Sequence, residues 1–333
     1  MFYIYRMKIF FLIVTCIFCS VTNFAQRIKI SDLKILEQKE DSLKNYAQQI
    51  ILAINPENRF KADSLFTKMF VRALKTNNSF YYTFDSLQTI SNLYPPDSSF
   101  RIFTWQMVIN DNITRQHGAI QMKTSDGSLK LFPLIDKSDI TINIADTVSN
   151  NKGWIGAVYY RIIQTKNDGQ NFYTLLGFDE NNIKSNRKII EVLHFKNEDP
   201  QFGGPYFSFE NDSVKVPKVS RYIMEYKKSS GARLTYDENL DMIVFEHLES
   251  ESEEPKKKYT LIPDGDYEGF KWAKGRWEHI VKVFNQITPE GKEPIPSPVK
   301  DAQGNTDENM LQDNTPVDKG PDTLKKVYKK KRL

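Results

Sequence analysis

The chain has 333 residues, with 46 Lys and Arg against 42 Asp and Glu, and two cysteines. Both cysteines, Cys16 and Cys19, fall in an apolar N-terminal segment. The chain beyond it therefore has no disulfide, thiolate metal site or cysteine nucleophile. The formal charge of +4 gathers at the two ends and leaves the body net acidic, which argues against a nucleic-acid-binding body.

Arg6 and Lys8 precede an apolar run over residues 9–21, and small and polar residues follow up to Ala25-Gln26. This order is that of a cleavable secretory signal, so residues 1–26 are read as a signal peptide and the protein as exported to the periplasm or cell envelope. The run is too short for a comfortable membrane span, which needs about 20 apolar residues.

Residues 27–96 read as a helical N-terminal region. Leu36, Leu43, Ala47, Ile50 and Ile54 recur at helical spacing, and Leu65, Phe66, Met69, Phe70 and Ala73 form a second stripe. Asn55-Pro56 separates the two, with Asn suited to capping and Pro to the first helical position. Phe80, Phe84, Leu87 and Ile90 predict a third helix, closed by Pro95-Pro96.

From Phe100 the period becomes two. RIFTWQMVI, GAIQMK, WIGAVYYRIIQ, FYTLLGF, RYIMEYK and MIVFEHL are rich in aromatic and β-branched residues. Turns such as Asn167-Asp168-Gly169 join them closely, which predicts antiparallel pairing. SNRKIIEVLHF fits either a short helix or a strand. EHLESESEEPKKKYTL reads as a solvated hairpin loop with acidic and basic runs facing each other. Residues 97–288 are thus expected to form a mostly antiparallel β domain, a curled meander, barrel or sandwich, with the helices packed on it. The fold class is α+β. Residues 289–333 hold six prolines and few large apolar residues, which predicts a disordered tail. It ends in Lys325, Lys326, Lys329, Lys330, Lys331 and Arg332, a charge cluster suited to an anionic envelope surface.

At YTLLGFDENN, KIIEVLHF, MIVFEHL and YTLIPDGDYEGFKW the chain resembles a group of uncharacterised secreted proteins of the Bacteroidota. The likeness spans residues 100–284. It implies export and a single family fold, and implies no activity, ligand or catalytic residue.

The most chemical spacing is Asp264, Asp266 and Glu268, followed by Gly269, which opens like a calcium loop. The twelfth position, where an EF-hand needs a bidentate Glu, is Gly275, and the flanks read as strands, so an EF-hand is excluded. Pro263-Asp264-Gly265-Asp266 is also good turn chemistry, and a turn between strands is preferred to a looser calcium site. No other cofactor is expected. His117, His194, His247 and His279 are scattered, without an HExxH pattern. Neither GxSxG, a P-loop nor a dinucleotide fingerprint occurs. Trp105, Trp154, Trp272 and Trp277 fit a β core, with a sugar-stacking face as the rival reading. The function that follows is a non-catalytic binding or structural role at the envelope. The alternative is a hydrolase of glycan or peptide, which would show two carboxylates, or a serine and a histidine, converging in a cleft.

Overall fold

A computed structural model describes residues 28–110, 113–210, 212–213 and 217–284. The segment read as a signal peptide, the segment read as a disordered tail and its six cations lie outside the described residues. Two helices, α1 (Ile30–Leu52) and α2 (Pro56–Leu74), form a hairpin, with Pro56 at the first helical position. Arg59 fastens it: Nε donates to Ala53 O at 2.8 Å and Nη1 to Val108 O at 2.6 Å. Among the described residues no helix is long and apolar enough to cross a membrane.

Three sheets follow. The first has the order β1 (Ser91–Leu93), β2 (Phe100–Asn110), β3 (Ile113–Met122), β4 (Lys130–Ile135), all antiparallel. The second has the order β5 (Ser149–Asn150), β9 (Asp199–Phe202), β8 (Ser185–Lys196), β7 (Gln170–Asp179), β6 (Val158–Asn167). β11 (Arg221–Lys227) also pairs with β8, through the half nearer Ser185, while β9 pairs with the other half. The third sheet has the order β10 (Phe207–Ser208), β15 (Arg276–Ile280), β14 (Leu261–Ala273), β13 (Met242–Ser250), β12 (Leu234–Asp237). Only the short β10–β15 pair is parallel among the described strands. The expected α+β class, two N-terminal helices on a largely antiparallel β domain, is what the chain adopts. The ambiguous SNRKIIEVLHF is strand β8.

Period-two side chains stack these layers. On β2, Phe103, Trp105 and Met107 join the core of the helices, with Phe66 and Phe70. Phe100 and Ile102, on its other face, join Trp154, Tyr159, Leu175 and Leu193 of the second sheet. The opposite face of that sheet supplies Leu176, Ile190 and Val192, which pack on Ile243, Phe270 and Trp277 of the third. The order is helices, first sheet, second sheet, third sheet. The helical region has no separate core, because β2 closes it.

Two local expectations are corrected. Residues 80–90 form no third helix. A 3-10 turn at Ser79–Tyr81 is followed by turns in which Leu87 N bonds Phe84 O at 3.1 Å and Ile90 N bonds Leu87 O at 2.9 Å. Phe80, Phe84, Leu87 and Ile90 are buried as the spacing suggested. Successive three-residue turns place apolar side chains on one side much as a helix does. Likewise, Pro263–Asp266 is no turn between strands: it lies inside the 13-residue strand β14, as a bulge.

Candidate functional site

The bulge creates the site. Glu246 pairs with Tyr267 and Leu248 with Pro263, so three residues of β14, Asp264, Gly265 and Asp266, lie opposite His247 alone. Gly265 takes φ +97°, a region that only glycine enters easily, and the Asp266 amide donates to Asp264 Oδ1 at 3.0 Å. The extra length brings Asp264 and Glu268 to the two nitrogens of one ring. His247 Nδ1 lies 2.7 Å from Asp264 Oδ2, and its Nε2 lies 3.5 Å from Glu268 Oε1.

Glu268 then continues the line into the core. Its Oε2 is 3.0 Å from His279 Nε2, and His279 Nδ1 is 2.9 Å from Asp212 Oδ2. The result is Asp264–His247–Glu268–His279–Asp212, carboxylate and imidazole in alternation. Asp266 takes no part and pairs with Lys282 at 3.1 Å. Of the three residues read as calcium candidates, two share a histidine and one faces away to a lysine. Among the described residues, no group of three or more His, Cys, Asp or Glu is placed to hold a metal ion.

The electrostatics follow from this order. Burial among Phe209, Phe245 and Phe270 pushes the His279 imidazole down, but its bonds to Glu268 and Asp212 outweigh burial and raise it above the ordinary value. Burial likewise pushes the Asp264 carboxyl up, yet the Asp266 amide and His247 hold it below the usual carboxylate range.

His279 gives a pH test. Its folded value is raised, so its stabilisation is complete below the unfolded value of about 6.5 and is lost as pH rises through the folded value. The melting temperature of wild type should therefore fall from neutral into mildly alkaline pH, and His279→Gln should remove that component. Thermal scans of both proteins at stepped pH check this; parallel curves would mean that His279 is not charged in the fold.

Beside the chain lies a cavity of about 380 Å³ between β11 and the bulged end of β13 and β14. Glu268, His247, Lys258, Tyr222 and Arg187 line it, and Leu248, Leu261 and Met224 supply apolar wall. The volume falls within the range of small-molecule sites, roughly 300–1,000 Å³. Burial pushes the Tyr222 phenol far up, and the charges of Glu268 and Asp212 push it further, so it keeps its proton. Among the described residues its hydroxyl has no hydrogen-bond partner, although the ring is packed on Phe245 and Phe270. Arg187 is committed to Glu225, at 3.0 Å. Lys258 is exposed and makes no ion pair among the described residues.

The remaining aromatic and histidine candidates lie in or against the core. Trp105, Trp154 and Trp277 are buried and so offer no stacking face; Trp272 is partly buried against Trp277. His117 stacks on Trp105 and lies 3.6 Å from Asp63, and His194 lies 3.4 Å from Tyr206. Sequence spacing missed the meeting of His247 and His279 at Glu268. The available signal was order alone, since β14 carries the glutamate and its two neighbours in sequence carry the histidines. Comparison with protein-family models, with curated proteins and with solved structures finds no match to the chain.

Proposed function

We propose that this is an exported protein of the cell envelope that acts as a non-catalytic binding module, with its ligand in the cavity between β11, β13 and β14. The observation that carries the reading is the cavity itself. It holds an unpartnered, protonated Tyr222 hydroxyl beside a carboxylate that His279 holds at 3.0 Å and His247 faces at 3.5 Å. Such preset groups in a partly apolar concavity are the usual form of a small-molecule site. Export rests on the N-terminal signal pattern.

A hydrolase of glycan or peptide is the second reading, favoured by the Asp264–His247 pair at the cavity. A carboxylate on Nδ1 orients an imidazole so that Nε2 can take a proton.

One experiment separates the two. Immobilised mature protein is exposed to a soluble pool of envelope glycans and peptides, and the eluate is analysed by mass spectrometry. The binding reading expects compounds to be retained intact, and lost with Leu248→Trp, which fills the cavity, and with Tyr222→Phe. Retained compounds recovered as cleavage products would establish the hydrolase instead. Equal retention by the folded variants would remove the cavity from either account.

A further inference from the structure

We infer that the cavity takes a small zwitterion, an amino acid or short peptide with free ammonium and carboxylate ends. The inference rests on the binding reading above and names its ligand class. Charges of both signs meet one concavity that also has apolar wall. Glu268 supplies the acceptor. Its Oε2 is occupied by His279 at 3.0 Å, but Oε1 has only His247 at 3.5 Å, the outer limit of a hydrogen bond, and so has room for a donor from the ligand. A protonated amine is the donor that gains most there, because both partners are charged.

The opposite end of the ligand meets a donor. Lys258 precedes Leu261, which pairs with Ser250 at the far end of the β13–β14 ladder from Glu268, and offers an ammonium without an ion-pair partner among the described residues. It suits a carboxylate, whereas the Tyr222 phenol stays at the Glu268 end, where the charges of Glu268 and Asp212 act on it. Arg187 is less available, since Glu225 takes its Nε at 3.0 Å and Asp179 lies 3.7 Å from its Nη1. Between the charged ends, Leu248, Leu261 and Met224 would cover an aliphatic side chain. A purely anionic ligand would face Glu268, and a purely cationic one would leave Lys258 unused.

The test uses four probes on the mature protein by calorimetry: the dipeptide alanyl-leucine, its N-acetyl form, its C-terminal amide, and the doubly blocked form. The free dipeptide is expected to bind best. Blocking either end should weaken it by about tenfold or more, the usual value of a charge-assisted bond. Glu268→Gln should abolish the cost of N-acetylation, and Lys258→Met the cost of amidation, with circular dichroism confirming that both variants fold. Lys258 is exposed, so its variant tests the assignment even if Glu268→Gln is unstable. Equal binding by all four probes would overturn the inference. If no probe binds while wild type still retains envelope compounds and Leu248→Trp does not, the ligand class is wrong and the binding reading stands. Absence of retention as well would end both.

Discussion

Arg221→Met is expected to lower the free energy of unfolding by about 3–5 kcal/mol, the range for breaking one side of a buried ion pair. Both partners are fully buried: Arg221 Nε lies 3.0 Å from Glu191 Oε2, and each side chain is 0% exposed. The other Glu191 oxygen accepts from the Tyr159 hydroxyl, which itself accepts from Trp154 Nε1 at 2.7 Å. Arg221 spends its remaining donors on a neighbouring segment, on Ile144 O, on Thr147 O at 2.8 Å and on Ser149 Oγ at 3.3 Å. Methionine fills similar space but leaves Glu191 charged without a cation and three acceptors without donors. Ile144 and Ala145 also line the cavity, and the Arg221 amide bonds Ala145 O at 3.0 Å, so the variant should loosen a cavity wall as well. Urea unfolding measures the cost. Glu191→Gln added to Arg221→Met should recover a large part of it, because an amide can still accept from Tyr159 without a buried charge. A single variant within about 1 kcal/mol of wild type would show that water or rearrangement replaces the pair.

The contrast between what was legible and what was not follows from which interactions are local. Helical stripes on α1 and α2, and the alternation of Phe103, Trp105 and Met107 against Phe100 and Ile102, are written in neighbouring residues. Layer order is then largely determined, since a strand with two apolar faces must have a layer on each. The third helix was misread because turns closed every three residues satisfy the same apolar spacing. Pro263-Asp264-Gly265 was misread because a positive-φ glycine serves a bulge as well as a turn. Neither error is visible without the partner strand. The line through Glu268 was illegible for the same reason. It depends on Phe270 facing His279 and Phe245 facing Glu268, which is register rather than sequence. Arg221 and Arg101 were read past because an arginine suggests solvent until its partners are known.

Arg101→Lys should cost about 3 kcal/mol or more, although it conserves charge. The expectation comes from geometry. The Arg101 side chain lies in the core, and its planar guanidinium reaches four acceptors: Gln121 Oε1, Ser79 O and the Tyr94 hydroxyl, each at 2.8 Å, and Tyr82 O at 2.6 Å. None of the four is a carboxylate. Aromatic rings supply the rest of the negative field, with the guanidinium carbon 4.5 Å from the centre of Phe103 and 5.4 Å from that of Phe84. Burial pushes its pKa down to about 10, and Tyr94 offsets part of that push. A lysine ammonium has three donors around one point and cannot span acceptors that a planar fork reaches. Losing about two charge-assisted bonds, each worth about 1.5–3 kcal/mol, gives the expected cost. The same bonds explain why residues 79–90 form turns and no helix: carbonyls of Ser79 and Tyr82 point to Arg101 instead of to amides four residues on. Hydrogen exchange of amides 79–94 should therefore quicken in the lysine variant by more than global destabilisation alone would give. Uniform protection loss across the chain, or a cost below about 1 kcal/mol, would show that the segment holds its turns without Arg101.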